Sequence, residues 1–100
     1  MMAVRRDWKA ARAKVAQERN CRVCGSQDTV QAAHTIGRTH DPVDGVVRAI
    51  DVVPLCVVCH QLFDARRLDL LPYLSYGEQA AAVEHVGIVS ALRRLTSKHE

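Results

Sequence analysis

The sequence predicts a small α+β domain: two short strands and the helix after them, tied together at four cysteines, with a basic helix in front and a long helix behind. Three observations carry this expectation. The cysteines fall in two Cys-x-x-Cys pairs, Cys21/Cys24 and Cys56/Cys59, with 31 residues between the pairs. Between them lie two β-prone runs separated by a polar loop, and the flanking stretches 5–19 and 76–96 are rich in helix formers and contain no proline. One hundred residues suit one domain spanning 1–100, and a chain this short buries too small a share of its surface for an ample core. Trp8, Phe63, Tyr73 and Tyr76 are its only aromatics, so reinforcement is expected at the cysteines.

Residues 5–19 read as the first helix. Trp8, Ala11 and Val15 make one apolar stripe, and Arg5, Lys9, Arg12 and Arg19 share another face. Lys and Arg outnumber acids eight to three over residues 1–40, but acids lead eight to six over residues 41–100. That asymmetry allows one phosphate-facing surface, with Arg5, Lys9, Arg12 and the loop residue Arg38 as its candidates, while a net charge of +3 argues against a purely electrostatic coating of nucleic acid. Solvation alone also accounts for such a face.

Cys21-Arg-Val-Cys24-Gly25 has the form of a tight metal-binding turn, with Gly25 supplying backbone freedom. Residues 29–34 read as the first strand, ending at His34. Gly37, Pro42 and Gly45 then mark a polar loop, residues 47–53 return as the second strand up to Pro54, and a helix runs from the second cysteine pair to about Arg67. Ser75 and Glu78 have the spacing of a capping box. They open the last helix, residues 76–96, whose apolar series is Ala80, Val83, Gly87, Ala91 and Leu95 with Ile88 and Leu92 alongside. Its expected role is to pack over the thin core. His85 and His99 are expected at exposed positions.

No run of 18 apolar residues occurs and the first residues lack a signal peptide's apolar stretch, so no membrane association and a cytoplasmic location are expected. In a reducing compartment, paired Cys-x-x-Cys hooks read as metal ligands ahead of disulfides, and nothing else here suggests the redox work of an iron-sulfur cluster. Four thiolates satisfy a tetrahedral structural zinc, which then has no open position for chemistry. His60, directly after Cys59, is therefore available for another task.

The order Cys-x-x-Cys, strand-borne His34, Asp51 ahead of Val53-Pro-Leu-Cys56, then Cys-x-x-Cys-His60 resembles the zinc-containing HNH endonucleases of tailed bacteriophages and their hosts. The resemblance covers roughly residues 21–74 and implies a ββα-metal fold, a hairpin followed by a helix around a catalytic divalent ion such as Mg²⁺, Mn²⁺, Ni²⁺ or Zn²⁺. It makes His34 the general base, Asp51 the counterpart of the Asn that orients it, and His60 a metal ligand. It also implies DNA as substrate and phage terminase or portal proteins as partners. Asp64, at i+4 from His60, shares its helical face and is a second candidate ligand, or else a surface acid paired with Arg66 or Arg67. The position before the general base usually supplies a metal ligand; here it is Ala33, with His40, Asp41 and Asp44 as alternatives from the loop. The chemistry is coherent, because an imidazole can activate water near neutral pH and one cation can neutralise the developing charge on phosphorus and the 3′-oxygen. The competing expectation is a silent zinc module that binds DNA or a protein partner without cutting.

Overall fold

The computed structural model of the chain describes residues 7–36 and 47–97. Arg5, Arg38, His40, Asp41, Asp44 and His99 lie outside the described residues.

The first helix, α1, is Lys9–Glu18, later than the expected start at residue 5. Asp7 and Trp8 are not helical, because the Asp7 carbonyl accepts the Val47 N–H at 2.8 Å. The Asp7 carboxylate accepts the Lys9 N–H at 3.0 Å, a local turn that launches the helix. Ala11 is fully buried, with Trp8 and Val15 half-buried beside it, as the apolar stripe requires.

Strand β1, Val30–His34, runs antiparallel to β2, Val52–Cys56, with Val30 opposite Cys56 and His34 opposite Val52. The second strand thus lies later than the expected 47–53. Ala49–Asp51 instead forms a single 3-10 turn in which the Asp51 N–H donates to the Arg48 carbonyl at 3.1 Å. Pro54, expected to end the strand, sits inside it. Its carbonyl accepts the Arg22 N–H at 2.8 Å, so its backbone polar edge faces away from β1 and the missing N–H removes no ladder bond.

Side chains alternate across the hairpin. Ala33, Val53 and Leu55 face a cluster containing Phe63, Leu70, Ala82, Ala91 and Leu95. Ala32 and Val52 face the opposite cluster, with Ala11, Val47 and Trp8. The hairpin is therefore a middle layer with α1 on one face and the later helices on the other, and β2 is buried at every position.

Helix α2, Val57–Asp64, follows β2 directly; the Cys56 sulfur accepts the Cys59 N–H at 3.5 Å and caps it. It stops short of Arg67, as Arg66 adopts a left-handed φ of 61°. The expected single helix over 76–96 is two helices, α3 at Tyr76–Val86 and α4 at Ile88–Leu95. The capping box that opens α3 is present, with Ser75 Oγ accepting the Glu78 N–H at 3.1 Å and Glu78 accepting the Ser75 N–H at 2.8 Å. The break is at Gly87, whose φ of 82° and ψ of 161° suit only glycine. The bend returns Ala91 and Leu95 to the core, whereas Val83, Ile88 and Leu92, expected inside, are 39%, 62% and 45% exposed. A Cβ at position 87 would meet nothing within 4 Å, so the cost of Gly87→Ala is backbone strain of about 1–3 kcal/mol, read from the shift in urea unfolding.

A buried ion network joins the layers. Glu78, 3% exposed, receives Arg22 Nη1 at 2.7 Å and Lys14 Nζ, and Lys14 also donates to the carbonyls of Ala49 and Val52. Burial opposes ionisation of Glu78, but the hydrogen bonds from Arg22, Lys14 and the Ser75 N–H outweigh it and hold the carboxyl at about 2. A carboxyl depressed on folding stabilises fully above its unfolded value, near 4.5, and the contribution fades as pH falls toward about 2. Glu78→Gln is expected to lose about 3 kcal/mol at pH 7, with the difference from the native chain shrinking below about pH 4.5. Denaturant melts across pH check this, since any acid-induced metal loss common to both proteins cancels in the difference. Among the described residues, no helix is long and apolar enough to cross a membrane.

Candidate metal centres

The first cysteine hook is a closed turn after α1. The Cys21 N–H donates to the Ser26 carbonyl at 2.7 Å and the Gly25 N–H returns to the Cys21 carbonyl at 3.0 Å, with Gly25 at a φ of 78°. Glycine is favoured there because a Cβ would strain the left-handed backbone. The Arg22–Pro54 backbone bond sets this turn against β2, whose last residue is Cys56; Cys59 lies in the first turn of α2.

All four sulfurs lie within 4.8 Å of one another, and Cys24 and Cys56 are 3.6 Å apart. Tetrahedral coordination with bonds of about 2.3 Å places sulfurs about 3.8 Å apart, so the group can hold one metal ion. Burial opposes ionisation of Cys21, but N–H groups of Cys24, Cys56 and Val23 outweigh it and bring this thiol down to about 6. Burial and the neighbouring sulfurs push Cys59 up. Positive charge among the sulfurs would relieve that crowding.

His60 lies one residue past this group, on the exposed side of α2. Its Nδ1 is 2.8 Å from Gln31 Oε1 on β1, and its Nε2 faces Asp64 Oδ2 at 3.6 Å. The two ring nitrogens thus face different partners, Nδ1 the Gln31 side chain and Nε2 the Asp64 carboxylate. A nitrogen and an oxygen that share a cation at about 2.1 Å with a tetrahedral angle stand about 3.4 Å apart, close to the separation seen. Asp64 also lies 3.6 Å from Arg94 Nη2, so its basic neighbour is on α4 rather than the sequence-adjacent Arg66 or Arg67.

His34 ends β1 and turns to the α1 face, the face opposite Gln31 and Ala33. It is 6% exposed, its ring edge-on to Trp8 with centroids 4.9 Å apart. Asp51, 2% exposed, has its carboxylate gripped by Arg48 at 2.8 and 3.1 Å, with His85 Nε2 3.8 Å away. His85, expected to be exposed, is half-buried there and bonded to Arg48. The Asp51 backbone reaches the strand end that carries His34: its carbonyl accepts the Thr35 N–H at 2.9 Å and the Thr35 hydroxyl at 3.2 Å. The structure thus gathers the four cysteines, and separately His60 with Asp64, and leaves the two imidazoles on opposite faces of the hairpin.

Lys9 and Arg12 are exposed on α1, and Arg12 lines, with Trp8 and β1, a cleft of about 530 Å³. The residue that sequence reasoning missed is Arg94. It stacks over Phe63 at 4.5 Å, and its Nη2 touches both the His34 carbonyl, at 3.3 Å, and Asp64. Burial lowers its pKa from the usual arginine range. In sequence it is one of two arginines within an apolar helical series, with no spacing signal of its own.

No family model, curated protein or solved structure matches the chain.

Proposed function

We propose that this chain is a zinc-stapled, metal-dependent endonuclease of the HNH kind that hydrolyses DNA phosphodiester bonds. The observation that supports it most is the His60–Asp64 pair, an imidazole and a carboxylate facing each other at 3.6 Å on the helix that directly follows an antiparallel hairpin. Two cation roles are separated in this reading. The four thiolates hold zinc and fix the hairpin against α2, while His60 and Asp64 hold a second divalent ion, which supplies Lewis acidity to the phosphate and the leaving 3′-oxygen.

The chain's own residues divide the remaining work. Gln31 fixes the tautomer of His60, presenting Nε2 as the ligand atom. His34 takes the proton from the attacking water as general base. Asp51 steadies His34 through its backbone bonds to Thr35, its carboxylate being committed to Arg48. At the end of β1 a single Arg94 nitrogen lies near both the His34 backbone carbonyl and Asp64; the scissile phosphate is proposed to lie there, and the His34 ring would reach it only by leaving its place against Trp8. Ala33, on the α2 face, offers no donor, so the second ion has two ligands from the described residues and takes the rest from water and substrate.

A second reading, a module that binds DNA or a packaging partner such as terminase without cutting, is favoured by the burial of His34 beside Trp8. Supercoiled plasmid incubated with zinc-loaded protein separates the two. The nuclease reading expects nicking with added Mg²⁺, Mn²⁺ or Ni²⁺ and none without; intact plasmid retained on the protein under every metal supports the silent module instead.

A further inference from the structure

We infer that Arg66, Ser90, Arg93 and Arg94 form a phosphate-binding subsite beside the His60–Asp64 pair, which takes a backbone phosphate of the bound strand. These four residues line a cleft of about 240 Å³ between the turn after α2 and the outer side of α4. Three arginines thus border one cleft, and Arg94 Nη2 lies 3.6 Å from the carboxylate of Asp64.

The assembly is built rather than accidental. Arg66 reaches across to α4, its Nη2 donating to the Arg93 carbonyl at 2.8 Å, from a backbone held at a φ of 61°. Arg94 is fixed flat over Phe63, with its Nη2 directed at the His34 carbonyl and Asp64. Attraction between arginine and a helix C-terminus explains why Arg93 and Arg94 occupy the last turn of α4. Arg66 adds a third cation from the turn after α2 by donating to a carbonyl of that same last turn. Guanidinium groups suit phosphate oxygens because their donors form a planar fork, and the Ser90 hydroxyl adds a neutral donor.

Placement beside Asp64 makes the phosphate of a nucleic-acid strand the fitting ligand, and in that respect the inference rests on the nuclease reading. Its test does not depend on cleavage. Zinc-loaded protein without added divalent ion is titrated with a labelled duplex across a salt series, comparing the native chain with Arg66→Gln/Arg93→Gln. Both side chains are exposed, and zinc content and thermal melting confirm that the fold is kept. Each phosphate contact contributes a slope of about −0.9 in log K against log salt. The double variant is expected to bind about 10-fold more weakly at low salt, with a slope shallower by about 1–2, and equally for unrelated sequences. Arg94→Lys, which keeps the charge but loses the fork, is expected to weaken binding as well. Unchanged affinity and slope in the double variant would overturn the subsite, even if plasmid is nicked. A changed slope without nicking would leave the subsite standing and remove the nuclease. Calorimetry with inorganic phosphate distinguishes the other source: tight binding of the free ion, lost in the double variant while duplex binding is unaltered, also overturns the assignment to a strand.

Discussion

Stripping the metal from the four thiolates is expected to unfold the protein. The turn at residues 21–25, the end of β2 and the start of α2 converge at these sulfurs, with the Arg22–Pro54 bond joining the turn to β2. Structural zinc in small domains contributes about 10–16 kcal/mol of apparent binding energy at neutral pH, while a whole domain's net stability is about 5–15 kcal/mol. Loss of the ion therefore exceeds the reserve. Far-ultraviolet circular dichroism during addition of a strong zinc chelator reads this directly. Helical signal is expected to collapse as metal leaves and to return when zinc is restored, and Cys56→Ser is expected to behave as the stripped protein. Retention of the full helical signal in metal-free protein would show that the apolar layers alone hold the fold.

The second large effect is expected at His60. His60→Ala removes one of the two proposed ligands, and nicking supported by added Mg²⁺ or Mn²⁺ is expected to fall by at least about 100-fold. The four thiolates are untouched, so the variant is expected to retain one zinc per chain. Gln31→Ala separates ligation from mere packing. Gln31 is exposed and makes its contact through His60 Nδ1 at 2.8 Å, and loss of a group that orients a ligand typically lowers metal affinity or activity by about 10–100-fold. Its defect is expected to be relieved by raising the concentration of the divalent ion. A His60→Ala protein that nicks at the native rate would remove the second cation site.

The parts of this fold that were legible in the sequence are those fixed by local rules. The capping box at Ser75 and Glu78, the cysteine turn at Gly25 and the strand ending at His34 each follow from short-range spacing, and each is present. The errors occur where tertiary contacts outweigh local pattern. Asp7 is drawn out of the first helix by Val47, and the pairing of β2 runs through Pro54 because Arg22 takes that residue's carbonyl on the outer edge. Gly87 fits the apolar periodicity of one long helix, but the core needs Ala91 and Leu95 on a different axis from α3, and only the glycine lets the chain turn. Glu78 was legible as a cap but not as the centre of an ion network, since Lys14 and Arg22 lie 64 and 56 residues away.

The candidate site divides in the same way. Metal-ligand spacing singled out the four cysteines, which do converge; the resemblance singled out His60, and helical spacing its nearness to Asp64, which the 3.6 Å separation bears out. Strand parity sends His34 and Ala33 to opposite faces once the strand is assigned, but which face meets α1 and which meets the later helices depends on tertiary packing that the sequence does not show. Arg94 carried no signal at all, because its role depends on α4 folding back over Phe63 and reaching the end of β1.

The most direct measurement is the single-turnover nicking rate of His34→Ala against the native chain, both carrying one zinc and both given saturating Mn²⁺. If His34 activates the water, its removal lowers the rate by about 10²–10⁴-fold while duplex affinity is kept. Equal rates in the two proteins would contradict hydrolysis at the end of β1.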